Sequence, residues 1–132
     1  MATCRTIATI VPMPPRTVCG LLAPRCIGSA RKHWNALFAE QGTQAFFDWY
    51  KASTIQDLEL RLAEMFHLDR RGYIIAPALQ KMILPLLDQI DSSAAEKGSV
   101  DTVVNKGGVL VGYWMGDWKN REVSIRIIRL WF

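Results

Sequence analysis

The chain has 132 residues, 50% of them hydrophobic and 21% charged, which excludes a disordered polypeptide and fits one globular domain. Its formal net charge is +4, but the basic residues are scattered apart from Arg31-Lys32-His33 and Arg70-Arg71, a pattern that argues against a nucleic-acid patch. No apolar run reaches the roughly 20 residues of a membrane span, and Pro12, Pro14 and Pro15 break up the stretch a secretory leader would need.

The elements follow in chain order. Residues 1–16 read as an irregular, proline-interrupted segment. Thr17 to Leu22 is a short apolar run, read as a buried strand that ends at Ala23-Pro24-Arg25. Ser29 is placed to cap a helix from about Ala30 to Gln41, with Gly42 as its stop. Trp34, Leu37 and Phe38 fall at helical spacing and should face the core. Ala45 to Tyr50 is aromatic-rich, and Phe46, Phe47, Trp49 and Tyr50 read as strand packing. Ser53 or Thr54 then opens an amphipathic helix striped by Ile55, Leu58, Leu62, Met65 and Phe66.

Gly72 to Ala76 is the next strand. A helix with Pro77 at its start is expected to run to about Leu84, where Pro85 bends or ends it. Ser92 to Lys97 is a short helix or turn. Gly98 to Asn105 and Gly107 to Tyr113 then form a hairpin, with Gly107-Gly108 supplying the positive φ of a tight turn. The tail from Val123 to Phe132 reads equally as a strand or as the start of a helix. Exposed, it would be an aggregation hazard, so it should be buried on its own sheet or against a second subunit.

Alternating strands and helices argue for an α/β fold. We expect a three-layer, mostly parallel sheet with helices on both faces and an antiparallel hairpin near the C-terminus. Cys4, Cys19 and Cys26 are odd in number and lack metal-ligand spacing, so they read as free thiols in a reducing cytoplasm, with no metal site. His33 and His67 have no partner spacing and read as helix-surface residues.

Several strings in residues 17–118 resemble the N-terminal, substrate-binding domain of shikimate dehydrogenases. Gly20-Leu21-Leu22-Ala23-Pro24 is similar to that family's first strand and turn. Gly28-Ser29-Ala30-Arg31 stands where the family has His-Ser-x-Ser-Pro. His33-Trp34-Asn35-Ala36-Leu37-Phe38 and Met82 to Asp88 resemble two of its helices. The segment from Gly98 to Gly112 resembles Gly-Ala-Val-Asn-Thr-Val-Val-Asn and the strand after it, and Gly116-Asp117-Trp118 resembles the end of the Asn-Thr-Asp motif.

The resemblance implies a site for a small polyhydroxylated carboxylate such as shikimate, dehydroshikimate or quinate. It assigns Ser29 and Arg31 to the carboxylate and Asp101 to the ring hydroxyls. The catalytic Lys falls at Gln80 or, with a shift of one residue, at Lys81. Asp117 matches the second catalytic residue if one residue is inserted. Lys81 and Asp117 would then flank the reacting hydroxyl, whose proton must leave as hydride departs.

The chain also departs from the pattern. Ile74 and Ala76 replace the Asn and Thr of Asn-Val-Thr, Asp101 replaces an Asn, and Trp114 and Met115 replace the Asn and Thr before Asp117. The Gly-rich strand-to-helix loop of a dinucleotide-binding domain is missing, so the chain is expected to bind no cofactor itself, although the family implies NADP. Residues 119–132 read as a divergent apolar tail. The expected partners are a small hydroxy acid and either a second copy or a separate nucleotide-binding chain, with no nucleic acid and no membrane. Two other readings stand beside this one: a non-catalytic sensor or regulatory module, and a dimerising interaction protein.

Overall fold

A computed structural model describes residues 17–132; the segment 1–16 lies outside the described residues. Strands and helices alternate as β1 (Thr17–Ala23), α1 (Gly28–Glu40), β2 (Ala45–Lys51), α2 (Ile55–His67) and β3 (Arg70–Ile75). Two 3-10 turns, Pro77–Leu79 and Leu84–Leu86, lead to β4 (Gln89–Ile90) and α3 (Ser92–Lys97). The hairpin β5 (Thr102–Lys106) and β6 (Val109–Tyr113) and the final helix α4 (Arg121–Trp131) complete the fold.

The six strands form one sheet in the order β2-β1-β3-β5-β6-β4. β1 lies between β2 and β3 and is parallel to both, while β4 is parallel to β6. β5 runs antiparallel to β3 and to β6. The architecture is therefore α/β, mixed rather than uniformly parallel, with the hairpin where the turn chemistry placed it. Gly107 and Gly108 have φ of 60° and 97°, which a two-residue turn of this hand requires.

Both faces of the sheet are covered, which explains why its central strands are continuous apolar runs. On one face Cys19, Leu21, Phe47 and Ile74 pack against Trp34 and Phe38 of α1 and Ile127 and Trp131 of α4. On the other, Leu22, Tyr73, Ile75 and Val103 pack against Leu58, Leu62 and Met65 of α2 and against Leu79 and Ile83. Trp131 lies so close over β3 that a Cβ at Gly72 would sit 1.9 Å from its Nε1, which donates to the Val103 carbonyl at 3.2 Å. The close approach demands glycine.

The tail, open between strand and helix in the sequence, is helix α4 and is buried on its own sheet. Val123, Ile127, Ile128 and Trp131 line one stripe at helical spacing, whereas Arg126 and Arg129 remain exposed. Asn120 caps it through a bond from the Glu122 N–H at 2.9 Å.

Four expectations are corrected. Ser29 does not cap α1: it is the second residue of that helix, exposed, and the cap position is Ile27 with no side-chain bond. The helix expected from Pro77 to Leu84 is instead the pair of 3-10 turns: the Gln80 backbone carbonyl accepts the Val100 N–H, and the Leu84 N–H bonds to the Lys81 carbonyl. Cys26 is disulfide-bonded, so the reading of free thiols holds for buried Cys19 and fails for Cys26. His33 is half-buried rather than a surface residue, and its Nε2 lies 2.8 Å from Ser124 Oγ on α4. Thr54, rather than Ser53, caps α2, in a reciprocal capping box with Asp57.

Candidate active site

A cavity of about 420 Å³ opens at the carboxyl ends of β1 and β3. Open α/β sheets bind ligands at this edge, where chain direction leaves a crevice outside the strand ends. Because β5 runs antiparallel to β3, its first residues reach the same edge, and so does the segment leaving β6. Asp101 and Thr102 thus meet Gln80, Trp114, Asp117 and Trp118 around one space.

Asp101 is the most buried carboxylate of this site, at 7% exposure. Its Oδ1 accepts the Met115 N–H at 2.8 Å and the Thr102 hydroxyl at 3.1 Å, and its Oδ2 accepts the Gly116 N–H at 2.9 Å. Burial pushes its carboxyl above the ordinary value, and the two backbone N–H groups pull part of the way back. The carboxylate therefore does two things. It folds the 114–117 segment over the cavity, and it leaves one lone pair of Oδ2 outside these three bonds.

Gln80 sits at the end of the first 3-10 turn. Its side-chain Nε2 donates to the Ile75 carbonyl at 3.0 Å, and its backbone carbonyl accepts the Val100 N–H at 2.9 Å. The first bond holds the side chain and the second the backbone at the cavity wall. Asp117 is exposed at the rim, where its Oδ1 accepts the Lys119 N–H at 2.9 Å.

Three of the six sequence-nominated residues, Gln80, Asp101 and Asp117, therefore share the cavity. Lys81, Ser29 and Arg31 do not line it. Lys81 is exposed one residue past Gln80, and Ser29 is exposed on the first turn of α1. Arg31 turns toward β2, with its Nε 3.9 Å from Asp48 Oδ1 and its guanidinium 5.7 Å from the Phe46 ring centre. Sequence reading missed Ile27, Thr102, Trp118 and Lys119 as wall residues. A usable signal was present for the last two, which follow Asp117 directly. Among the described residues, Lys119 is the single cationic side chain lining the cavity.

The rim is braced from behind. The Ser124 hydroxyl donates to the Trp118 carbonyl and also faces His33 Nε2, tying the rim loop to α1 and α4. Desolvation holds His33 below its ordinary pKa, which favours the neutral ring as Ser124's partner. Among the described residues no cluster of His, Cys, Asp or Glu could hold a metal ion. The β1–α1 turn is Pro24-Arg25-Cys26-Ile27, and the N-terminus of α2 is closed by its capping box.

No protein-family model matches the chain. Among curated proteins, the shikimate dehydrogenase (NADP(+)) of Symbiobacterium thermophilum is 30% identical over 105 residues, covering 79% of this chain and 35% of the relative. A solved shikimate 5-dehydrogenase-like protein superposes with a TM-score of 0.67 at 27% identity, over 74% of this chain and 35% of that one. The shikimate 5-dehydrogenase of Listeria monocytogenes, solved in complex with shikimate and NAD, superposes with a TM-score of 0.72 over 93% of this chain and 42% of that one, and its 22% identity makes this a likeness of fold. The chain spans about a third of the length of the curated relatives it matches, 28% and 35% for two of them. Its similarity to shikimate dehydrogenases in sequence and fold is therefore that of one domain.

Proposed function

We propose that this chain is the substrate-binding unit of a shikimate-dehydrogenase-like protein and that it holds a small cyclic hydroxycarboxylate in the cavity at the carboxyl edge of its sheet. The observation that carries the reading is the convergence of Gln80, Asp101 and Asp117 on that cavity, in a fold like that of a solved shikimate-bound enzyme. Asp101 Oδ2 accepts one ring hydroxyl. Gln80 Oε1, the end of the amide not bonded to Ile75, accepts another. Asp117 stands at the rim beside the hydroxyl that would react. Lys119 replaces Ser29 and Arg31 as the partner of the ligand's carboxylate, since it is the cation the cavity wall supplies.

Lys81, the other candidate for the family's catalytic lysine, is exposed and is not among the residues lining the cavity. Hydride transfer is therefore assigned to this chain only in company with a separate NADP-binding domain. A second reading, binding without chemistry, is favoured by one feature: buried Ile74 and Ala76 occupy the positions where the resembled motif is polar.

Titration calorimetry of the 132-residue chain with shikimate and with quinate tests the binding. Heat that saturates with a dissociation constant of about 1 mM or tighter is expected. No heat from either ligand would falsify the reading. Turnover of NADP with shikimate, measured with and without a separately supplied dinucleotide-binding domain, then separates the catalytic reading from the non-catalytic one.

A further inference from the structure

The walls of this same cavity narrow its ligand class. The inference rests on the binding function proposed above. Leu21, Ile27 and Ile74 supply aliphatic lining, and Trp114 and Trp118 supply aromatic lining. The buried polar groups are gathered in one place and are already largely committed. Both lone pairs of Asp101 Oδ1 are used, the Thr102 proton is donated to that oxygen, and the Gln80 amide nitrogen is engaged with Ile75. What these groups still offer is acceptor capacity on Asp101 Oδ2, Thr102 Oγ1 and Gln80 Oε1, beside one remaining N–H of the half-buried Gln80 amide.

A saturated polyol fits such walls poorly. Its hydroxyls project from both faces of a puckered ring, and each both donates and accepts. Several would lie against aliphatic or indole surface with no partner, which is costly. An aromatic hydroxycarboxylate fits better. Its two faces are flat and apolar and can stack on an indole. Its hydroxyls lie in the ring plane, at the edge. A phenol is a stronger donor and a weaker acceptor than an alcohol, which suits the carboxylate and amide oxygens left open on Asp101 and Gln80. Its carboxylate takes Lys119, the exposed lysine of the cavity lining, as its partner.

We propose that the cavity selects a planar aromatic hydroxycarboxylate over a saturated polyhydroxylated one, with phenolic hydroxyls on Asp101 and Gln80, the ring face on Trp114 or Trp118, and the carboxylate on Lys119.

Calorimetry of the full chain with 3,4-dihydroxybenzoate, its methyl ester and shikimate tests this. The expected result is that 3,4-dihydroxybenzoate binds at least tenfold tighter than shikimate, and that the ester binds about tenfold more weakly than the acid. In Lys119→Gln, a change at an exposed side chain, the acid should fall to the affinity of the ester while the ester is unmoved. Shikimate binding as tightly as 3,4-dihydroxybenzoate overturns the proposed selectivity and leaves the binding function standing. Equal affinity of acid and ester, or a Lys119→Gln variant indistinguishable from the parent, overturns the placement of the carboxylate. Binding of neither acid overturns this inference and the function it rests on together.

Discussion

At the scale of single residues, the site depends on a carboxylate that works mainly through hydrogen bonds. Asp101 gathers two backbone N–H groups and a hydroxyl, so Asp101→Ala leaves buried donors unpaired. We expect a loss of about 1–3 kcal/mol in urea unfolding, together with loss of ligand heat. Glu64 shows the opposite balance. Burial pushes its carboxyl up, but hydrogen bonds from Arg61 and the charge of buried Arg70 outweigh that and leave it below the ordinary value of 4.5. A depressed carboxyl stabilises the fold above its unfolded-state pKa, and that contribution disappears as pH falls through the folded-state value. Glu64→Gln should therefore cost about 1–2 kcal/mol at pH 7, and the gap between variant and parent should close below pH 4.5 in acid-titrated melts. The open choice between Gln80 and Lys81 shows where residue-level reading stops. A helix through Pro77 to Leu84 and a pair of 3-10 turns present different side chains to the cavity. The choice between them is made by long-range bonds, such as Val100 N–H to the Gln80 carbonyl. No local pattern records those bonds.

At the scale of elements, legibility followed period and turn chemistry. The Leu58, Leu62 and Met65 part of the α2 stripe, a cap at Ser53 or Thr54, the Gly107-Gly108 hairpin and the first strand could be read because neighbours in sequence determine them, whereas Ile55 and Phe66 of the expected stripe are exposed. Helix α4 could not be separated from a strand, since Val123, Ile125 and Ile127 alternate as well as they spiral. Tertiary packing decides the matter by burying Ile127, Ile128 and Trp131 and leaving Ile125 half-covered. Ile127 is fully buried between α1 and the sheet face, so Ile127→Ala should cost about 2–5 kcal/mol in denaturant unfolding. Exposed Ile55→Ala on α2 should cost far less, and similar losses at the two positions would refute the packing described for α4.

At the scale of the whole molecule, two cores share one sheet, and the central strands carry the structure. β1 pairs along its length with β2 and over most of it with β3, whereas β4 contributes two exposed residues at an edge. Amides of β1 and β3 should exchange with deuterium only through global opening, and those of β4 and of residues 114–120 through smaller local openings. Hydrogen exchange followed residue by residue in low urea checks this, and equal protection of β1 and β4 would contradict it. The fold class was legible because strand and helix signals alternate. The exclusion of Ser29 and Arg31 from the cavity was not, because it depends on the direction in which α1 turns its first residues relative to the sheet.

Trp118 belongs to two regions at once. It lines the ligand cavity, and its ring centre lies 6.5 Å from that of Trp34 and 5.3 Å from that of His33, while Trp34 in turn lies 5.1 Å from Trp131. Indoles this close exchange excitation, so the ultraviolet emission of the core is coupled to events at the cavity mouth. The molecule carries its own optical gauge of occupancy. A non-absorbing guest that dries the Trp118 ring should shift that emission to the blue with no label attached, and it would do so from inside the packed interior rather than from the surface.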